Sequence, residues 1–297
     1  MVEQASGSLI DPALPPATPV TAVGTRRRMS PLVYAGGTII GVIVLAALVS
    51  FVWTPFSTSL TDTNNLATLP GVGGHLLGTD LYGRDILSWL MAGSRTTLYV
   101  GVVAVGIAAG VGTPLGILAG MLRTRWGEFV MRVTDIWLAF PGLLMALIFA
   151  TVFGPSITSA MTAIGIASVP SFIRVVRSGT IRVMTTDYVL SARASGMRGP
   201  AIALKHVLPN VIGLVIVQCS VSYAVAILAE AALSYLGLGA GPTTPSWGRM
   251  LYDGQAVISI HPLLVVWPGA AIAVAVLAFN LLGDGLRDRF DPRLEGR

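Results

Sequence analysis

A chain of 297 residues that is 54% hydrophobic and only 11% charged has too little charge to cover the surface of a water-soluble domain of that length. Its mean hydropathy of +0.76 requires lipid to solvate much of the exterior. The net charge of +5 does not describe a nucleic-acid surface, because the basic residues lie between long uncharged runs and not in one basic domain.

Residues 1–25 are rich in Pro, Ala, Thr and Ser without apolar periodicity, which predicts a disordered tail reaching to about residue 30. A transmembrane domain is expected over 31–297. Arg26, Arg27 and Arg28 precede an uncharged run over 33–53. At 1.5 Å per residue this run spans about 30 Å, the thickness of the hydrocarbon layer. It is longer than the apolar core of a secretory signal and is read as a retained first span. Five more apolar stretches follow, at 96–122, 136–153, 154–173, 207–229 and 262–283. Pro114 predicts a tilt or kink in the second. Gly154-Pro155 predicts a turn joining the third and fourth as a helical hairpin. The chain is therefore expected to be an all-α integral membrane protein with about six spans.

The loops set the orientation. With Arg26–Arg28 placed in the cytoplasm, 16 of the 19 basic residues fall on that side, leaving only Arg84, Arg95 and Arg249 outside. Such a bias puts both termini in the cytoplasm. It creates external segments at 54–95 and 231–261 and a long cytoplasmic loop at 174–206. Gly112, Gly116 and Gly120, with Gly106 and Gly110 before them, give the second span a small-residue face for close helix packing. The single cysteine, Cys219, admits no intrachain disulfide, and His75, His206 and His261 are too scattered for a metal cluster.

The cytoplasmic loop is the most informative segment. Asp187-Tyr188-Val189-Leu190-Ser191-Ala192-Arg193-Ala194-Ser195 reads as a short helix ended by Gly196, followed by His206 and then Leu208-Pro209 at the start of the fifth span. A short helix ended by glycine and hinged by proline suits docking into another protein's groove. An amphipathic surface helix with no partner fits the same pattern.

This spacing resembles the "EAA" loop of permease subunits in binding-protein-dependent ABC importers, E-A-A-x3-G-x9-I-x-L-P. Ala192, Gly196, Leu208 and Pro209 fall in register, while Leu190, Ser191 and His206 depart from it. Four further stretches resemble the second, C-type permease of the dipeptide, oligopeptide and nickel branch. They are His75-Leu76-Leu77-Gly78-Thr79-Asp80 with Gly83-Arg84-Asp85; Arg132 to Pro141; Glu230 to Gly239 with Pro245-Ser246-Trp247-Gly248; and Asn280 to Asp288 with Asp291-Pro292-Arg293. The resemblance implies a type I importer permease in a bacterial inner or plasma membrane. It implies that 188–196 is the coupling helix, with Tyr188, Ser191, Ala192, Arg193, Ala194, Gly196, His206, Leu208 and Pro209 contacting the ATPase. The implied partners are a homologous second permease, a cytoplasmic ATPase with two nucleotide-binding domains, and an extracytoplasmic solute-binding protein. Cargoes in the branch are short peptides, nickel complexes or haem. No cofactor is expected on this chain. Lys205 lies in Leu204-Lys205-His206, outside any Gly-x4-Gly-Lys-Ser/Thr loop, so ATP and Mg2+ are expected in the partner ATPase, and no chemistry is expected here.

Asp135 and Glu230 stand at the edges of apolar spans, where each marks either a translocation path or gate, or simply the membrane–water interface. Arg132, one turn before Asp135, offers that carboxylate a local partner. Asp80, Arg84 and Asp85 read mainly as structural, with docking of a binding protein, shared by Trp247 and Arg249, as the other reading. An ion-coupled secondary transporter is the alternative class. It predicts inverted repeats and midplane acids, which the sequence lacks. A membrane-embedded enzyme would need clustered reactive residues within the spans.

Overall fold

The computed structural model describes residues 30–122 and 125–290. The tail expected before residue 30, the Arg26–Arg28 group and the Asp291-Pro292-Arg293 motif lie outside the described residues. Among the described residues the chain is helical, and its only β pairing is an isolated bridge between Thr79 and Asp85. Five helices or joined helices are long and apolar enough to cross a membrane: α1 (Pro31–Val52), α2 (Ile86–Met121), α5 (Ile157–Val183), the joined run Gly199–Tyr235, and α10 (Leu263–Phe290). The joined run comprises a short α7 (Gly199–Ile202), a wide π turn (Ala203–Val207) and α8 (Leu208–Tyr235).

The expected third span is not one helix. It is α3 (Arg125–Leu138) and α4 (Gly142–Phe153), bent by 78° at the break between them. Pro141 causes the break, because proline pushes the residue before it out of the α region and supplies no N–H. The 12 residues of α4 rise only about 18 Å and cannot cross the bilayer alone. The remaining spans begin or end beyond their apolar runs. Helix α2 starts at Ile86 and not at residue 96, because Asp85 caps it, its carboxylate accepting from the Ser88 N–H at 2.8 Å. Helix α5 passes residue 173 to reach Val183, so Arg174, Arg177 and Arg182 lie on a helix and the loop before α6 (Asp187–Ala194) is short.

Leu208 and Pro209 open α8 as expected, but the proline makes no hinge between α8 and the turns before it. The Leu208 N–H bonds to the Ala203 carbonyl in the π turn, and this wider turn accommodates the proline ring, which would otherwise strike the carbonyl four residues back. The run through α7 and α8 is continuous.

Close helix contact rests on missing side chains. A Cβ on Gly112, Gly116 or Gly120 of α2 would lie 2.5, 2.8 or 2.6 Å from the Cβ of Phe172, Val176 or Thr180 on α5. The α2–α5 seam continues towards the start of α2, where Gly165 of α5 packs on Ala104 and Ile107; Gly106 and Gly110, expected to share it, face open space. Helices α1 and α10 meet through Gly36, whose added Cβ would sit 2.6 Å from the Ala278 carbonyl, and through Gly285 against Val33. Gly213 near the start of α8 packs on Phe290 at the end of α10. The start of α1, the ends of α2, α5 and α10, and α6 thus share one end of the bundle. The other end carries residues 53–85 and α9 (Trp247–Gln255).

Candidate coupling loop and external cap

Helix α6 begins after Thr186, with Asp187 in its first turn and Arg193 in its last, both signs matching the helix dipole. Its single fully buried residue, Val189, packs in a core cluster with Met184, Ile202 and Val207. Tyr188 is 46% and Leu190 49% exposed, and Ser191, Arg193 and Ala194 are exposed beside them, while Ala192 is half-buried. Gly196 has φ +80°. Its N–H donates to the Arg193 carbonyl at 2.9 Å and the Met197 N–H to the Ala192 carbonyl at 3.1 Å. This is the Schellman arrangement, in which a left-handed glycine closes the helix. The helix spans Asp187–Ala194, against an expected 188–196.

The run returning through α7 and the π turn comes back beside this helix. The rings of Tyr188 and His206 lie 5.9 Å apart, and the buried Nε2 of His206 has no hydrogen-bond partner. Leu208 and Pro209 open α8. The loop residues named from the sequence therefore form one unit, a short helix held by one buried valine and offering an apolar and basic face outward. Such a face suits a groove on a partner, and its single anchor lets it move as a lever.

At the opposite end, the motif residues tie together the two segments expected to be external. Arg84 is 7% exposed. It pairs with Asp80 on its own loop and with Asp253 of α9 at 2.7 Å, donates to the Pro242 carbonyl at 3.2 Å, and lies 3.8 Å over the Trp89 ring. Arg249 holds the same Asp253 at 2.9 Å. Asp85, besides capping α2, accepts from the Ser88 hydroxyl at 2.6 Å and lies 2.9 Å from His75 Nδ1. Trp247 donates from Nε1 to the Leu90 carbonyl at 2.9 Å.

Arg84, Asp85 and Trp247 are all buried, which favours the structural reading of the first two and corrects the docking alternative: none of the three presents a surface to an incoming protein. Sequence reasoning missed Asp253, the one residue joining both cationic side chains. Its spacing four residues after Arg249 was the available signal.

The two edge carboxylates part company. Asp135 does not pair with Arg132; it accepts from Arg174 Nη2 of α5 at 2.7 Å, and both side chains are more than half exposed. The helix bend at Pro141 sets α3 beside α5, which brings Arg174 into reach; such exposed pairs contribute little stability. Glu230 does not end its helix and is enclosed by protein. Helix α8 continues past it to Tyr235, α9 packs over it with Gly248 against Ala231, and it is 1% exposed. Its Oε1 accepts from the hydroxyls of Ser234 at 2.8 Å and Ser246 at 2.7 Å. Ser246 is the N-cap of α9, so Glu230 fixes where that helix starts. Glu230→Ala should lower stability by about 2–3 kcal/mol, because it strands two buried hydroxyls. Glu230→Gln keeps an acceptor at Oε1 and should cost far less. Thermal unfolding of both variants in detergent checks the ordering; equal losses would refute a role through hydrogen bonding.

Residues 112–296 match the family model described as "Binding-protein-dependent transport system inner membrane component". The dipeptide transport system permease protein DppC of Alkalihalophilus pseudofirmus is 40% identical over 262 residues, covering 86% of each chain. The glutathione transport system permease protein GsiD of Escherichia coli is 40% identical over 235 residues, covering 79% of this chain and 77% of that one. Among solved structures, an inward-facing conformation of the MetNI methionine ABC transporter superposes with a TM-score of 0.58 at 17% identity, over 68% of this chain and 96% of that chain. The fold is thus that of a type I importer permease, and the C-type peptide-permease resemblance agrees with both relatives. The protein belongs to the multi-pass, binding-protein-dependent transport system inner membrane components.

Proposed function

We propose that this chain forms one half of the pathway by which a short peptide enters the cell, paired with a homologous second permease and driven by a separate ATPase. The observation that carries the reading is α6: a largely exposed helix closed by Gly196, with Val189 its one buried residue, in register with a family coupling loop. On this reading the α6 end faces the cytoplasm. The start of α1 and the end of α10 lie at that same end, which agrees with both termini being cytoplasmic. ATP and Mg2+ are held by the partner, and closure of the two nucleotide-binding domains moves α6 and, through Val189, the ends of α5 and α8. A solute-binding protein delivers the cargo to the opposite end. The buried Arg84–Asp253 and Glu230–Ser246 ties make that end move with the bundle.

Gentle extraction of the tagged chain from native membranes, followed by mass spectrometry, tests this. Recovery of a second multi-span permease and a P-loop ATPase, with peptide-stimulated ATP turnover once the binding protein is added, is the expected result. Recovery of the chain alone, or as a homo-oligomer without ATPase activity, would transfer the argument to an ion-coupled secondary transporter.

A further inference from the structure

The π turn that accommodates Pro209 has a second consequence. It leaves Leu204 67% exposed and opens a groove of about 470 Å³ between the last three turns of α2 and the start of the α7–α8 run. Ile117, Leu118 and Met121 form one wall and Ala203, Leu204 and Leu208 the other, and among the described residues no charged one lines it. Along α2 the groove runs from Thr113 to Leu122, a rise of about 14 Å, close to the depth of one leaflet of a bilayer whose hydrocarbon is about 30 Å thick. Its mouth, at Leu122 and Gly199, opens at the α6 end. Arg198 immediately precedes Gly199, Arg125 begins α3 three residues after Leu122, and Lys205 follows Leu204 on the wall. All three are exposed, and none is in an ion pair among the described residues.

We infer that this groove is a binding site for an anionic phospholipid of the leaflet on the α6 side, with an acyl chain along α2 and the headgroup phosphate on Arg198 and Lys205. An apolar slot of leaflet depth takes an alkyl chain, and the unpaired cations at its mouth take a phosphate carrying net negative charge. Basic pockets between spans on the cytoplasmic side recognise anionic headgroups in this way. A helix of a neighbouring subunit would bury the slot equally well but would leave those cations without partners.

The test places a photoreactive p-benzoylphenylalanine at Leu118, on the groove wall, in the intact complex extracted with this chain. The complex is held in nanodiscs of equal phosphatidylglycerol and phosphatidylcholine, and adducts are read by mass spectrometry. Phosphatidylglycerol adducts should exceed phosphatidylcholine adducts by about five-fold or more, the effect of one surface cation. The excess should fall towards parity in R198Q/K205Q, and the same probe at Val42, on the exposed face of α1, should show parity throughout. Equal labelling at Leu118, a preference that survives R198Q/K205Q, or a crosslink to another polypeptide would overturn the site.

Discussion

Replacing Arg84 with methionine is expected to destabilise the protein by about 1–3 kcal/mol, because it leaves the half-buried Asp80 without an ion-pair partner and the buried Asp253 with Arg249 alone. The loss comes from stranded carboxylates more than from a missing attraction, which gives the prediction a second arm. Arg84→Met combined with Asp80→Asn should recover part of the stability, since the carboxylate left without an ion-pair partner is then gone. Denaturation in detergent micelles, followed through the Trp89 fluorescence that the guanidinium covers at 3.8 Å, measures both variants. A double variant as unstable as the sum of the two single ones would show that Arg84 and Asp80 do not act as a unit. Local unfolding should begin at α9, because Arg84 and Arg249 both hold that helix through Asp253.

Gly196→Val should separate ATP hydrolysis from transport while leaving the bundle intact. A Cβ at Gly196 meets nothing within 4 Å, so space is not the obstacle; the obstacle is φ +80°. A β-branched residue there costs about 1–2 kcal/mol, shifting the population of the correctly ended helix by about ten-fold. The damage stays local because Val189 is the one fully buried residue of α6. Gly196→Asn tolerates the left-handed conformation and should remain close to the parent. Peptide uptake and ATPase rates in proteoliposomes, compared for the two variants, decide the matter. Full uptake in Gly196→Val would remove α6 from the coupling role.

Much of this architecture is legible in the sequence because crossing a membrane is a one-dimensional constraint. Runs of uncharged residues near positions 33–53 and 262–283 state their transfer free energy directly, and helices form there with ends displaced by only a few residues, apart from the extension of α10 to Phe290. Gly196 is readable for a related reason: the left-handed closure of a helix is a local event between residues 192 and 197. The small-residue face of α2 gives its approximate location in the same way. Its direction around the helix does not follow from spacing, which is why Gly106 and Gly110 face away while Gly112 does not. The charged starts and ends of helices were hidden, because Arg95 and Arg174 look like loop residues when only hydropathy is counted.

The sequence by itself determined a helical membrane chain, its family loop and the stop at Gly196, since each depends on residues within a few turns of one another. Only the tertiary structure decided that Asp85 and Trp247 are buried, that Asp135 meets Arg174, that Glu230 caps no surface but anchors α9, and that the third span is broken. These outcomes depend on which distant segments meet. Arg84 and Asp253 stand 169 positions apart, and no local pattern of charge or hydropathy records that pairing. The free energy of burying a charge is set by the partner that three-dimensional packing supplies, not by the residues beside it in the chain.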